Sequence, residues 1–176
     1  GGHTLNLCHI QQTRNQRSVF RYNDGCYYCQ IIDSISNIQV SFEYNKVSGD
    51  KKSFKYCKCA WGIDKTGAAI CAKLSRIIFN INCLFYKNVG QHGLGGAISI
   101  EKYDFPSNAL RNTNCRFEGN VAYDGSIIYA ENTDNMNTNC IFVDNQGPRN
   151  EIYLQESRDI KMINVKTTFT SESWSP

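Results

Sequence analysis

Cys83-Leu84-Phe85-Tyr86-Lys87-Asn88, Cys115-Arg116-Phe117-Glu118-Gly119-Asn120 and Cys140-Ile141-Phe142-Val143-Asp144-Asn145 are three versions of one hexapeptide, Cys-x-Phe-x-x-Asn. Its second half recurs without the cysteine at Phe20–Asn23 and Phe42–Asn45. Successive phenylalanines of the motif lie 22, 43, 32 and 25 residues apart. Self-similarity at a period of roughly 20 to 50 residues marks a solenoid, in which each unit buries its apolar face against its neighbours.

The gap of 43 residues is long for one coil and suits two. Inside it, Cys57-Lys58-Cys59-Ala60-Trp61-Gly62 puts Cys59 at the phenylalanine position and Gly62 at the asparagine position. Ile163-Asn164-Val165-Lys166-Thr167-Thr168 begins 23 residues beyond Cys140 and reads as a degenerate last coil. The register therefore predicts six or seven coils over residues 18–168, with a flank at 1–17 and a tail at 169–176.

Cys83 and Phe85 lie two apart, as do Cys115 and Phe117, so a strand points both to one face. Ile81 extends that alternation. Asparagine tolerates left-handed backbone and bonds its own neighbouring backbone, so it suits the corner where the strand ends. Asparagines stacked at equivalent corners can join in a side-chain ladder. A small-residue turn then leads into a second apolar strand, as in Gly67–Cys71, Gly95–Ile100 and Asp124–Tyr129. Two strands per coil, with no sustained amphipathic period, predict an all-β fold, a parallel β-helix. Even Ala72–Asn82, the best helical candidate, is rich in isoleucine and reads as strand.

Phe-x-x-Asn together with Gly95-Gly96-Ala97-Ile98 resembles the right-handed parallel β-helix repeats of polymorphic outer membrane protein passenger domains, and similar repeats in surface proteins of some eukaryotic microbes. Gly67–Ile70 and Asp124–Ile127 match the second tetrapeptide in part. The resemblance implies a secreted or surface-displayed role as an adhesive or scaffolding segment. On that reading the structural ladder comprises Phe20, Asn23, Phe42, Asn45, Cys57, Cys59, Cys83, Phe85, Asn88, Cys115, Phe117, Asn120, Cys140, Phe142 and Asn145.

Length and composition agree with a single domain: 176 residues, 41% hydrophobic and 20% charged, with 13 glycines against three prolines. A formal charge of +3 and the lack of a basic run interleaved with aromatics speak against a nucleic-acid partner. No run of 18 apolar residues predicts a membrane span. The chain begins Gly-Gly-His, with no initiating methionine or signal peptide, which reads as a piece of a longer protein.

Nine cysteines favour an oxidising space, yet no asparagine begins an Asn-x-Ser/Thr sequon, which suits a bacterial source or an intracellular assembly instead. Neighbouring ladder cysteines would stand about 4.8 Å apart, within disulfide reach. Buried thiols alternating with phenylalanine are the simpler reading. Cys26-x-x-Cys29 with Cys57, Cys59 and Cys71 has zinc-ligand spacing in part, but the repeat already accounts for the second pair. The expectation is no metal and no cofactor.

Catalytic motifs are sparse. Asn132-Thr133-Asp134 is the tripeptide of polygalacturonases, and Gln91-His92-Gly93 resembles their Gly-His-Gly, but the order is reversed and Asp134 lacks a second carboxylate. Asn132–Asn137 reads as a polar turn, and the glycines at 90, 93, 95 and 96 as a turn before a strand. A non-enzymatic role is expected, with a carbohydrate-active hydrolase or lyase as the alternative. The longest insertion, Glu101–Asn112, carries Tyr103, Asp104 and Phe105 as candidate contacts to a protein or glycan partner or a neighbouring β-helix chain. Trp61 and Trp174 are further aromatic candidates.

Overall fold

The computed structural model describes residues 6–8, 12–21, 27–30, 34–47, 69–73, 76–101, 108–147, 152–155 and 160–168. Among them there is no helix, and every strand pairing is parallel. Six coils stack on one another. The first contains β1 (Asn6–Cys8), β2 (Gln12–Gln16) and β3 (Val19–Arg21). The second contains β4 (Tyr27–Gln30), β5 (Ser34–Ile38), β6 (Ser41–Glu43) and β7 (Lys46–Val47). The third runs through β8 (Ile70–Lys73), β9 (Ile77–Ile81), β10 (Leu84–Tyr86) and β11 (Val89–Leu94). The fourth follows with β12 (Ile98–Glu101), β13 (Asn108–Thr113), β14 (Arg116–Glu118) and β15 (Val121–Asp124). The fifth has β16 (Ile128–Glu131), β17 (Thr133–Thr138) and β18 (Ile141–Val143); the sixth has β19 (Ile152–Gln155), β20 (Ile160–Ile163) and β21 (Lys166–Thr168).

Stacking generates four sheets: β1-β4-β8-β12-β16-β19, β2-β5-β9-β13-β17-β20, β3-β6-β10-β14-β18-β21 and the short β7-β11-β15. We call them first to fourth. The architecture is a parallel β-helix, with three or four strands per coil where the sequence suggested two.

Several readings are corrected by the register. Phe85 pairs directly with Phe42, so the 43 residues between them make one coil and not two. The ladder positions read at Cys57 and Cys59 fall within residues 48–68, which lie outside the described residues. A longer connection costs only slowly growing closure entropy, so a solenoid absorbs coils of unequal length without losing register. The last coil is shifted by two: Lys166 pairs with Ile141 and Thr167 with Phe142, so Val165 takes the cysteine position. In the glycine turn Ile98 pairs with Ile128, which aligns Gly95–Ile98 with Gly125–Ile128 instead of Asp124–Ile127. Asn108–Asn112 and Thr133–Asn137 are strand, where a loop and a turn were expected.

The alternation also changes phase at the corner. Asn82, Asn114, Asn139 and Asn164 have φ of 54°, 53°, 51° and 51°. That left-handed step turns Ile81 outward while Asn80 before it and Cys83 after it both point in. The second corner is left-handed not at the motif asparagine but at the residue before it: Tyr44, Lys87, Gly119 and Asp144.

Inside, Phe20, Phe42, Phe85 and Phe117 stack nearly parallel at centroid distances of 5.1, 5.1 and 4.6 Å, and Phe142 closes the column edge-on at 5.3 Å. Aliphatic columns line the other walls, Ile35-Ile78-Leu110 in the second sheet and Ile70-Ile98-Ile128 in the first.

Two asparagine ladders run beside them. In the first, the side-chain amides of Asn15, Asn37, Asn80 and Asn112 each donate to the carbonyl oxygen of the next, ending on Asn137, every bond 2.8 Å. In the second, Asn45 donates to Asn88, Asn88 to Asn120 and Asn120 to Asn145, each at 2.9 Å. Each of these amides also donates back to a phenylalanine carbonyl of the preceding coil, as Asn120 does to Phe85 at 3.0 Å. Each acceptor oxygen also takes a backbone N–H, as Asn145 does from Asn120 at 3.1 Å. One asparagine thus ties three coils together. A third ladder, Asn164-Asn139-Asn114-Asn82, runs exposed along the left-handed corner at 3.2 Å per bond.

Gly96 is required by contact. A Cβ there would lie 2.2 Å from the backbone oxygen of Ser126 in the next coil. Gly96→Ala should destabilise the chain by about 1–3 kcal/mol, the usual cost of overpacking, read as a lower urea midpoint. Phe117→Ala should cost about 3–5 kcal/mol as a buried aromatic. Asn112→Ala should cost about 1–3 kcal/mol, because Asn80 and Asn137 each lose a buried partner. Losses below about 0.5 kcal/mol at both positions, the range of neutral surface changes, would contradict the ladders.

Candidate functional site

Of the ladder residues read from the sequence, all but three fall in the columns above or in the thiol column below. Asn23, Cys57 and Cys59 lie outside the described residues, as do Tyr103, Asp104, Phe105, Trp61 and Trp174. Among the described residues, no group of three histidine, cysteine or acidic side chains could hold a metal ion.

Cys83, Cys115 and Cys140 are buried free thiols in one column, continued by Val40 and Val165 in the coils on either side. Each sulfur donates to two backbone carbonyls, Cys115 to Asn80 at 3.3 Å and to Thr113 at 3.4 Å. The neighbouring thiols Cys140 and Cys83, followed by burial, push the Cys115 thiol far above its ordinary range. A thiol so placed packs as a small hydrophobe and is inert as a nucleophile. Cys71 on β8, also fully buried, is by contrast disulfide-bonded.

The histidine and aspartate that the sequence singled out do not share a wall. His92 lies on β11 of the fourth sheet and Asp134 on β17 of the second. Asp134 faces out, between the inward Thr133 and Asn135. It lines a shallow groove of about 90 Å³ with Arg111, Asn135, Met136 and Lys161. The Arg111 guanidinium is pinned by two carbonyls, Asp134 at 2.9 Å and its neighbour Leu110 at 3.2 Å. Asp134 Oδ1 is shielded from solvent and accepts no hydrogen bond. The groove therefore holds two cations, one unpartnered acceptor and the apolar Met136, a set suited to binding a polar ligand. It holds a single carboxylate.

On the third sheet the exterior is different. Arg21 is paired with Glu43, and Arg116 with Glu118 at 2.7 Å, so those cations are neutralised in place. Tyr44 and Tyr86 meet edge-on at 5.2 Å, with the Lys87 ammonium 5.1 Å from the Tyr86 ring centre. The hydrogen bond that the Lys87 ammonium donates to Tyr86, together with the electrostatic influence of Tyr86 and Tyr44, raises the lysine's proton affinity.

The thiol column generates a pH dependence. An unfolded cysteine ionises near pH 8.5, and the fold holds Cys115 above that, so the Cys115 contribution to stability is full below about pH 8.5 and is lost as pH rises above it. Hydrogen bonds with Cys115 lower Cys83 and Cys140, which act in the opposite sense. The part of the urea midpoint that is due to Cys115 should decline from pH 8 towards pH 10. Cys115→Val, which copies Val40 and Val165, should fold and flatten part of that decline. Native alkylation should leave Cys83, Cys115 and Cys140 unlabelled, and labelling of all three in the folded chain would contradict the buried column.

Comparison with protein-family models, with curated proteins and with solved structures finds no match to this chain.

Proposed function

We propose that this chain is a non-catalytic binding rod, an adhesive or scaffolding segment of a secreted or surface-displayed protein. The observation that carries this reading is how the polar residues are used. The asparagines of the two inner ladders and the thiols face inward and bond one another or the backbone, so they are spent on holding coils together. Among the described residues, the exterior offers sheet surface and a groove with one carboxylate. Hydrolysis of a glycosidic bond needs two carboxyl groups on either side of it. His92 and Asp134 lie on different sheets, which removes the assembly that their sequence motifs suggested. The disulfide at Cys71 supports an oxidising compartment, since such bonds persist in secreted and surface proteins.

The test is a product assay on pectin-like, chitin-like and other polysaccharides. We expect no reducing ends and no unsaturated products above background. Turnover that disappears in Asp134→Ala or His92→Ala would overturn the reading in favour of a carbohydrate-active enzyme.

A further inference from the structure

The outward positions of the second sheet form a continuous flat face. Pairing places Arg14, Ser36, Phe79, Arg111, Met136 and Lys161 in one column along the solenoid axis. Parallel to it run Ile77-Ala109-Asp134 on one side and Ile38-Ile81-Thr113-Thr138-Ile163 on the other. Among the described outward residues of this face, three cations stand against one carboxylate. Arg14 and Lys161 are exposed, and no ion pair joins them, Arg111 or Asp134 to another described residue. The third sheet, where Arg21 and Arg116 are paired to glutamates, does not share this excess.

We infer that this face is a docking surface for an acidic polysaccharide lying along the solenoid axis. This rests on the binding-rod reading and names the partner. Three features select that chemistry. Arg111 and Lys161 are two coils apart, about 10 Å at the usual strand spacing; a polymer with a uronic acid at every second sugar repeats its carboxylate at a similar distance. Phe79 and Met136 flank Arg111 in the same column and supply the apolar surface on which the C–H face of a sugar ring rests. Asp134 lines the same groove, and its carboxylate accepts a hydrogen bond from a hydroxyl. A polyol has hydroxyls, whereas a polyphosphate has only more negative charge. An extended acidic peptide is disfavoured for another reason: β5, β9, β13 and β17 are each paired on both sides, so the face has no open edge for an added strand.

The probe is a non-sulfated hexasaccharide of alternating glucuronic acid and N-acetylglucosamine, titrated into the intact chain by calorimetry. A neutral chitin hexasaccharide, a poly-glutamate peptide and inorganic polyphosphate serve as comparators. Binding of the acidic hexasaccharide should weaken at least about tenfold in Arg111→Gln/Lys161→Gln, as expected for losing two charge-assisted contacts. Arg116→Gln, on the third sheet, should leave it unchanged, and circular dichroism checks that each variant folds. Asp134→Ala should weaken hexasaccharide binding while strengthening that of polyphosphate, a crossed response that a merely electrostatic patch does not give. Absence of hexasaccharide binding, indifference to the Arg111/Lys161 pair, or equal competition by poly-glutamate or polyphosphate overturns the inference and leaves the binding-rod reading standing. Cleavage of the bound hexasaccharide would do the reverse, keeping the site and sinking the non-catalytic reading.

Discussion

An asparagine side chain that serves three coils at once is the constraint on which this structure depends. A parallel β-helix satisfies its strand backbones by stacking, but its corners break the ladder and leave peptide groups turned inward, where water does not reach them. An unpartnered buried peptide group costs about 1–3 kcal/mol. At each such corner Asn88 or Asn120 receives a backbone N–H and a side-chain amide from the preceding coil, returns a hydrogen bond to a phenylalanine carbonyl of that coil, and donates to the asparagine of the next. No other side chain of that size carries a donor and an acceptor that together span both neighbours. The phenylalanine column can stack only because the corners are fixed to this common geometry.

What could be read from the chain beforehand follows from that requirement. Residues that must recur in every coil leave a period in the sequence, so Cys-x-Phe-x-x-Asn announced the solenoid. The same logic would have exposed the inner ladder, for Asn80, Asn112 and Asn137 each stand three residues before a motif cysteine. Asn82, Asn114 and Asn139 each directly precede one, and they form the exposed ladder. The complete repeat was present, and only its second half was taken as the signal. The spacing of 43 between Phe42 and Phe85 misled because it makes one coil and not two, and connection length carries no imprint of register. Strand phase was misjudged at Ile81 because a left-handed residue at Asn82 resets the alternation, and periodicity alone does not reveal a single such step.

The candidate site was far less legible. Arg111 and Lys161 are 50 positions apart and belong to no motif. They share a column only because coils four, five and six differ in loop length by amounts that the register absorbs. Asp134 did stand out, but as part of a catalytic tripeptide. Its actual setting, a shielded oxygen between two cationic coils, comes from neighbours that stacking supplies. In a solenoid the interior is periodic and therefore readable, while the exterior is where sequence is free to vary and function is written without a pattern.

The two inner amide ladders have a direction. From Asn15 to Asn137 and from Asn45 to Asn145 every amide-to-amide hydrogen bond runs from a donor in one coil to an acceptor in the next coil towards the C-terminus. The rod is therefore a vector with unlike ends. Two such rods brought together by their like ends would set N–H against N–H, or carbonyl against carbonyl, across the junction. Only a unit arriving in the same sense as the chain itself, tail onto head, could carry the amide chains across without a break. Growth of this architecture, whether by added repeats within one polypeptide or by abutting molecules, is thereby restricted to a single polarity.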